Sequence, residues 1–216
     1  MRMDVEPASR MRFQNVCRQN INALATANRH YYQTAEAHCI RVGKYALAIG
    51  KVVGLSPEEL VDLKYAAALH DIGKIAISRR ILGKLGKLTE EEIEIMRRHY
   101  EVCLRLLEKI DELRLATVLV RYHHERFDGK GYPAGLSGIS IPLGSRIIAV
   151  AEAFDILTCN VPWRRAMDKK SALDELQRCA GTQFDPKVVE ALRIAVTSSP
   201  FYLKEYGSQG GKNEQN

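Results

Sequence analysis

The sequence predicts an all-α protein, a single-domain helical bundle, and three observations predict it. Apolar residues recur at helical spacing along most of the chain, no stretch shows the alternation of a half-buried strand, and several segments open with helix-capping signatures. With 216 residues, the chain is long enough for one sizeable domain and a short extension.

Residues 13–32 read as a first helix or entry segment, and residues 1–27 as an extension before a domain spanning 28–196. Residues 34–53 form an amphipathic helix that Gly54 stops. In SPEEL (56–60), Ser56 serves as N-cap, Pro57 occupies the first turn and Glu59 closes a capping box. That helix runs through the alanine-rich KYAAALHD to about Asp71. GKLGKL (83–88) reads as a loop, and TEEE (89–92) as a second capping box opening a helix through about Lys109. A further helix covers about 112–126, followed by a Gly- and Pro-rich loop over 127–142. A long helix follows from about Ser145 to Asn160. FDPKVVEAL (184–192) starts the last helix, with Asp185 as cap and Pro186 at its first position. The tail, 197–216, ends in GSQGGKNEQN and has the composition of disordered chain.

Apolar content of 46% and charged content of 27% match a soluble globular protein. The segment MRMDVEPASRMRF has no apolar signal region, and the longest apolar runs, such as IIAVA at 147–151, are too short to span a bilayer. No membrane partner is expected, and the location is expected to be cytoplasmic. The five cysteines (17, 39, 103, 159 and 179) form no CxxC pair, so they read as reduced thiols and exclude zinc-finger chemistry. A net charge of +6 suits an anionic ligand. The basic pairs are dispersed, with no run or aromatic platform, so no nucleic-acid partner is expected.

The chemistry-bearing residues are the histidines and the carboxylates in apolar surroundings. His70 and Asp71 end the alanine-rich helix, where an ionisable pair is costly unless satisfied. The chain then turns at Gly73 and presents Lys74. Glu152 interrupts the apolar run IIAVAEAF and needs an arginine or a metal as partner. HHERFDGKGYP (123–133) places two adjacent histidines before a glycine-rich loop. Adjacent helical residues point about 100° apart, so His123 and His124 are expected on different faces, flanking more than one metal. Taken alone, the pair reads more readily as a polar helix end followed by a turn, and the glycines can be read as only turning the chain. Several imidazoles with carboxylates on different helices suit a first-row transition-metal site.

Together, AALHDIGKI (67–75), HHERFDGKGYPAGL (123–136) and GTQFDP (181–186) resemble the HD-GYP family of bacterial HD-domain phosphohydrolases. The resemblance runs from about residue 28 to 196. It implies metal ligation by His38, His70, Asp71, His99, His123, His124 and Glu152, with Asp71 bridging two divalent ions, iron or manganese. Many members have Asp where this chain has Glu152. Lys74 matches a lysine near the substrate phosphate. Arg164 and the loop residues Gly131, Tyr132 and Pro133 match substrate-binding positions, and that loop is also a candidate surface for a protein partner. Cys103, one turn after His99, is expected to pack rather than ligate.

The implied activity is hydrolysis of cyclic di-GMP to pGpG, and on to GMP, by a hydroxide activated between two metals, with Asp71 and Lys74 as catalytic residues. Two departures qualify it. Members with a third metal carry Glu four residues before the first ligand histidine; this chain has Thr34 there, which implies two ions. A substrate-facing arginine is replaced by Val161, which keeps open another cyclic dinucleotide or nucleotide, or a weakly active nucleotide-sensing or docking module.

Overall fold

In a computed structural model, residues 35–160 and 164–198 are described. The expectations for residues 13–32, Thr34 and Val161 lie outside these. Helix α1 (Ala35–Val52) is followed by α2 (Pro57–Leu69), a 3-10 turn (Ile72–Ala76) and the short α3 (Arg79–Leu82). Next come α4 (Glu90–Arg97), α5 (His99–Leu107) and α6 (Arg114–Arg121). After the long loop, α7 (Leu143–Thr158), α8 (Lys169–Arg178) and α9 (Pro186–Thr197) complete the chain. No strand occurs among the described residues. Within them, no helix is long and apolar enough to cross a membrane.

Helix α1 is central, packing on α2, α7 and α9, while α2 also packs on α6. Its buried stripe, Val42, Ala46 and Ile49, is spaced at i, i+4 and i+7, the period of one helix face. Small residues set the close crossings. A Cβ on Gly144 would lie 2.6 Å from the Leu119 side chain, so the glycine lets that leucine of α6 pack directly on the α7 backbone. Both expected capping boxes form: Ser56 with Glu59 opens α2, and Thr89 with Glu92 opens α4. Asp185 caps α9, its Oδ1 accepting from the Lys187 amide at 2.8 Å. Its other oxygen pairs with Arg146 of α7, so the GTQFDP turn ties α9 to α7.

Two boundaries differ from expectation, and two helices, α3 and α8, had no expected counterpart. The helix expected over 89–109 is two helices meeting at Arg98, so His99 begins a new one. The helix expected to reach 126 ends at Arg121, which leaves the histidine pair on the turn beyond it.

Candidate metal centre

The HD turn is built by close packing of backbone on backbone. A Cβ at Gly73 would lie 1.9 Å from the His99 carbonyl oxygen, so only glycine lets this turn lie against the start of α5. Cys103 fastens the same contact. Its thiol donates to the His70 carbonyl at 3.1 Å and accepts from the Gly73 amide at 3.1 Å. Burial pushes this thiol up to about 12, so it stays protonated, as a packing residue would. His70 follows α2 directly, Lys74 sits in the 3-10 turn, His38 lies near the start of α1, and Glu152 lies on α7.

Four imidazoles are oriented through Nδ1. His70 donates to the Ala67 carbonyl at 2.9 Å, His99 to Met96 at 2.6 Å and His123 to Val120 at 2.6 Å. His38 donates to the Asp155 carboxylate at 2.7 Å, which Arg41 holds in turn through hydrogen bonds of 2.5 and 3.0 Å. An acceptor at Nδ1 keeps the proton there and leaves Nε2 as a lone-pair donor. Nε2 of His70, Nε2 of His123 and Oδ1 of Asp71 are buried with no partner. Unsatisfied buried polar atoms are costly, and three brought together here suit a bound cation.

The ligand atoms form two groups. Those of His38, His70 and Glu152 lie within 4.8 Å of one another, and so do those of His99, His123 and His124. Asp71 stands between the groups. Its Oδ2 lies 3.8 Å from His38 Nε2 and 3.7 Å from His70 Nε2, while Oδ1 lies 3.8 Å from His99 Nε2. Lys74 Nζ donates to Oδ2 at 2.6 Å.

Charge states suit a cation. Burial holds the His123 and His124 imidazoles well below their ordinary range, and neighbouring imidazoles add to it. Burial lowers His99 as well, although the Asp71 charge opposes it. Burial works against the Asp71 carboxylate, but Lys74 and the surrounding imidazoles outweigh it and hold its pKa well below the usual value. His38 differs: burial is outweighed by Asp155, Asp71 and Glu152, and its pKa is raised. Imidazoles held low at His99, His123 and His124, beside an ionised carboxylate and unpartnered nitrogen and oxygen donors, fit divalent transition-metal ions.

One expectation about this site is corrected. His123 and His124 do not point to different faces. Beyond the helix end the 100° rule no longer holds; their rings lie 3.8 Å apart and both join the group containing His99.

Other candidates are placed as follows. The Arg164 guanidinium is engaged by the carbonyls of Ile156 and Leu157 at the end of α7 and by the Arg165 carbonyl, where helical carbonyls lack partners. Gly131 is pressed onto the histidine segment, since a Cβ there would lie 2.3 Å from the Arg126 amide nitrogen. Tyr132 donates its amide to the His124 carbonyl at 3.3 Å, and its ring stacks on the His124 ring. Pro133 is exposed. A cavity of about 190 Å³ adjoins the cluster, between His123, His124, Glu152 and Phe184.

Two residues had escaped the sequence reading. Asp155 lies three residues after Glu152, as Arg41 lies three after His38, so the two pairs meet across the α1–α7 crossing. Matching i, i+3 spacings were the available signal. Glu125, third in HHE, is buried and accepts from the Ala134 amide at 2.7 Å, which anchors the loop.

The HD domain family model matches residues 18–188. The "Cyclic di-GMP phosphodiesterase response regulator RpfG" of Xanthomonas campestris pv. campestris is 40% identical over 177 residues, covering 81% of this chain and 47% of the relative. The "3'3'-cGAMP-specific phosphodiesterase 3" of Vibrio cholerae is 36% identical over 163 residues, covering 76% of this chain and 35% of the relative. The chain thus spans about half or less of these relatives' length. A solved cyclic GMP-AMP specific phosphodiesterase of V. cholerae (V-cGAP3) shares the fold with a TM-score of 0.57, at 24% identity, over 77% of this chain and 45% of that one.

Proposed function

The chain belongs to the HD-GYP family of HD-domain proteins, and on that premise we propose that it is a metal-dependent phosphodiesterase opening cyclic di-GMP to linear pGpG, with GMP from a second cut. The observation that carries this reading is Asp71, one carboxylate oxygen turned to each of two three-residue donor groups. His38, His70 and Glu152 would hold one divalent ion and His99, His123 and His124 the other, with Asp71 serving both. When bound, iron or manganese would supply Lewis acidity, acidifying water and neutralising phosphoryl charge.

The chain's own residues do the rest. The Nδ1 hydrogen bonds of His38, His70, His99 and His123 orient those four donor nitrogens before any ligand arrives, which lowers the cost of organising the site. Although burial opposes it, the charges of Asp71 and Glu152 keep Lys74 protonated beside the cluster. Its ammonium would draw in the substrate phosphate and stabilise the charge that develops there. The adjoining cavity would receive part of the nucleotide, with Ala153, Ile156 and Phe184 as apolar wall.

Val161 favours a second substrate reading, a different cyclic dinucleotide such as the one named for the V. cholerae relative. The retained donor set argues against a purely sensing role. The test is to incubate metal-loaded protein with cyclic di-GMP and with 3'3'-cGAMP and resolve the products by chromatography. Cyclic di-GMP turnover to pGpG is expected. His70→Ala and Asp71→Ala should each lose at least about 100-fold in rate together with bound metal, since both supply donor atoms. An active, metal-loaded Asp71→Ala protein would overturn the assignment.

A further inference from the structure

Of the five histidines in the cluster, His124 is held differently. His38, His70, His99 and His123 each anchor Nδ1 on an oxygen acceptor. Among the described residues, His124 makes no such bond; its one ring hydrogen-bond contact is Nε2 facing His99 Nε2 at 3.1 Å. A ligand imidazole with a free Nδ1 can swing about its side-chain torsions unless something else fixes its plane.

The His123 ring lies against that of His124, centroids 3.8 Å apart but planes 40° from parallel, and the more nearly parallel neighbour is on the GYP loop. The Tyr132 ring stacks on the His124 ring with centroids 4.9 Å apart and planes 27° from parallel. Tyr132 is itself braced: the Arg97 guanidinium sits 5.5 Å over its ring, and the Tyr100 ring packs at 6.0 Å. Its backbone is fixed to the same histidine, since the Tyr132 amide donates to the His124 carbonyl. Gly131 allows that approach, and Glu125 holds the far side of the loop through the Ala134 amide.

We propose that Tyr132 is a positioning residue for His124, its ring replacing the Nδ1 hydrogen bond that orients the other four imidazoles. The GYP loop is then a brace for one of the two donor groups, that of His99, His123 and His124, and not for the group of His38, His70 and Glu152. This rests on the two-ion reading of the cluster.

The test is titration of metal-free full-length chain with Mn(II), followed by the EPR signal of the free ion and by calorimetry. The wild-type protein is expected to bind two equivalents. Tyr132→Leu keeps apolar bulk but removes the flat face. It should weaken one equivalent about 10-fold or more, the usual cost of losing an outer-shell contact, and leave the other within about 2-fold. Tyr132→Phe should bind like wild type. The weakened equivalent should be the one His124→Ala weakens, and the double variant Tyr132→Leu/His124→Ala should bind no more weakly than His124→Ala alone. Circular dichroism of each variant guards against loss of fold, with Tyr132→Phe as the conservative control. Two wild-type-like equivalents in Tyr132→Leu, equal weakening of both, or additive effects in the double variant would overturn the proposal alone. A wild-type chain binding fewer than two equivalents would overturn the two-ion reading as well.

Discussion

Single residues at this centre are set by their hydrogen bonds as much as by their identity. His38 depends on Asp155, and Asp155 on Arg41. Asp155→Asn keeps the size but loses the charge that holds the imidazole. It should weaken the metal equivalent of the His38 group about 10-fold, read by Mn(II) titration, with the other equivalent unchanged. A variant that binds both equivalents like wild type would show that the hydrogen bond does not orient the ring. Protonation gives a second prediction. The folded chain keeps His99, His123 and His124 below the ordinary imidazole value. As pH falls through about 6.5, the unfolded chain takes up protons that these three groups refuse, so their contribution to stability falls. His38, shifted upward, opposes this as one group against three. Metal-free protein should therefore unfold at lower urea concentration at pH 5.5 than at pH 7.5; an unchanged or higher midpoint at pH 5.5 would contradict these protonation states.

At the scale of elements, the site depends on places where backbone meets backbone. Gly73→Ala would set a Cβ against the His99 carbonyl, which cannot yield without moving α5. The substitution should cost about 1–3 kcal/mol in urea denaturation and weaken metal binding in the same protein. Ser56→Ala, a cap remote from the centre, should cost about 1 kcal/mol and leave metal binding unchanged.

The contrast also shows what the sequence could reveal. Helices α2 and α9 were legible because caps and apolar period agree along them, and α1 and α7 were legible from their apolar period. The break at Arg98 was not, because the pattern from Thr89 to Lys109 stays helical and only tertiary contact with the HD turn makes His99 start afresh. The placing of His123 and His124 was misjudged for a related reason: the period of α6 does not say that the helix stops at Arg121. The motif residues were legible through their joint resemblance. Asp155 and Glu125 were not, since each reads as an ordinary acid until its partner is seen, His38 on α1 for Asp155 and the Ala134 amide across the loop for Glu125.

For the whole molecule, the candidate metal donors come from α1, from the HD turn after α2, from α5, from the turn after α6 and from α7. Drawing them together requires the bundle to be folded, so metal binding and folding are linked. At about 100 times its dissociation constant, an ion adds about 2.7 kcal/mol, and at this chain length 1 kcal/mol moves the melting temperature by about 2–4 °C. Stripping metal with a chelator should lower the melting temperature by about 5 °C or more, and Mn(II) should restore it. Equal melting with and without metal would mean that the donors do not form one linked centre.

On the proposed reading Asp71 serves two donor groups at once, and metal content tests that most directly. Protein purified under anaerobic conditions and measured by elemental analysis should hold close to two equivalents of transition metal per chain, falling well below two in Asp71→Ala. One equivalent, or three tightly held, would contradict it.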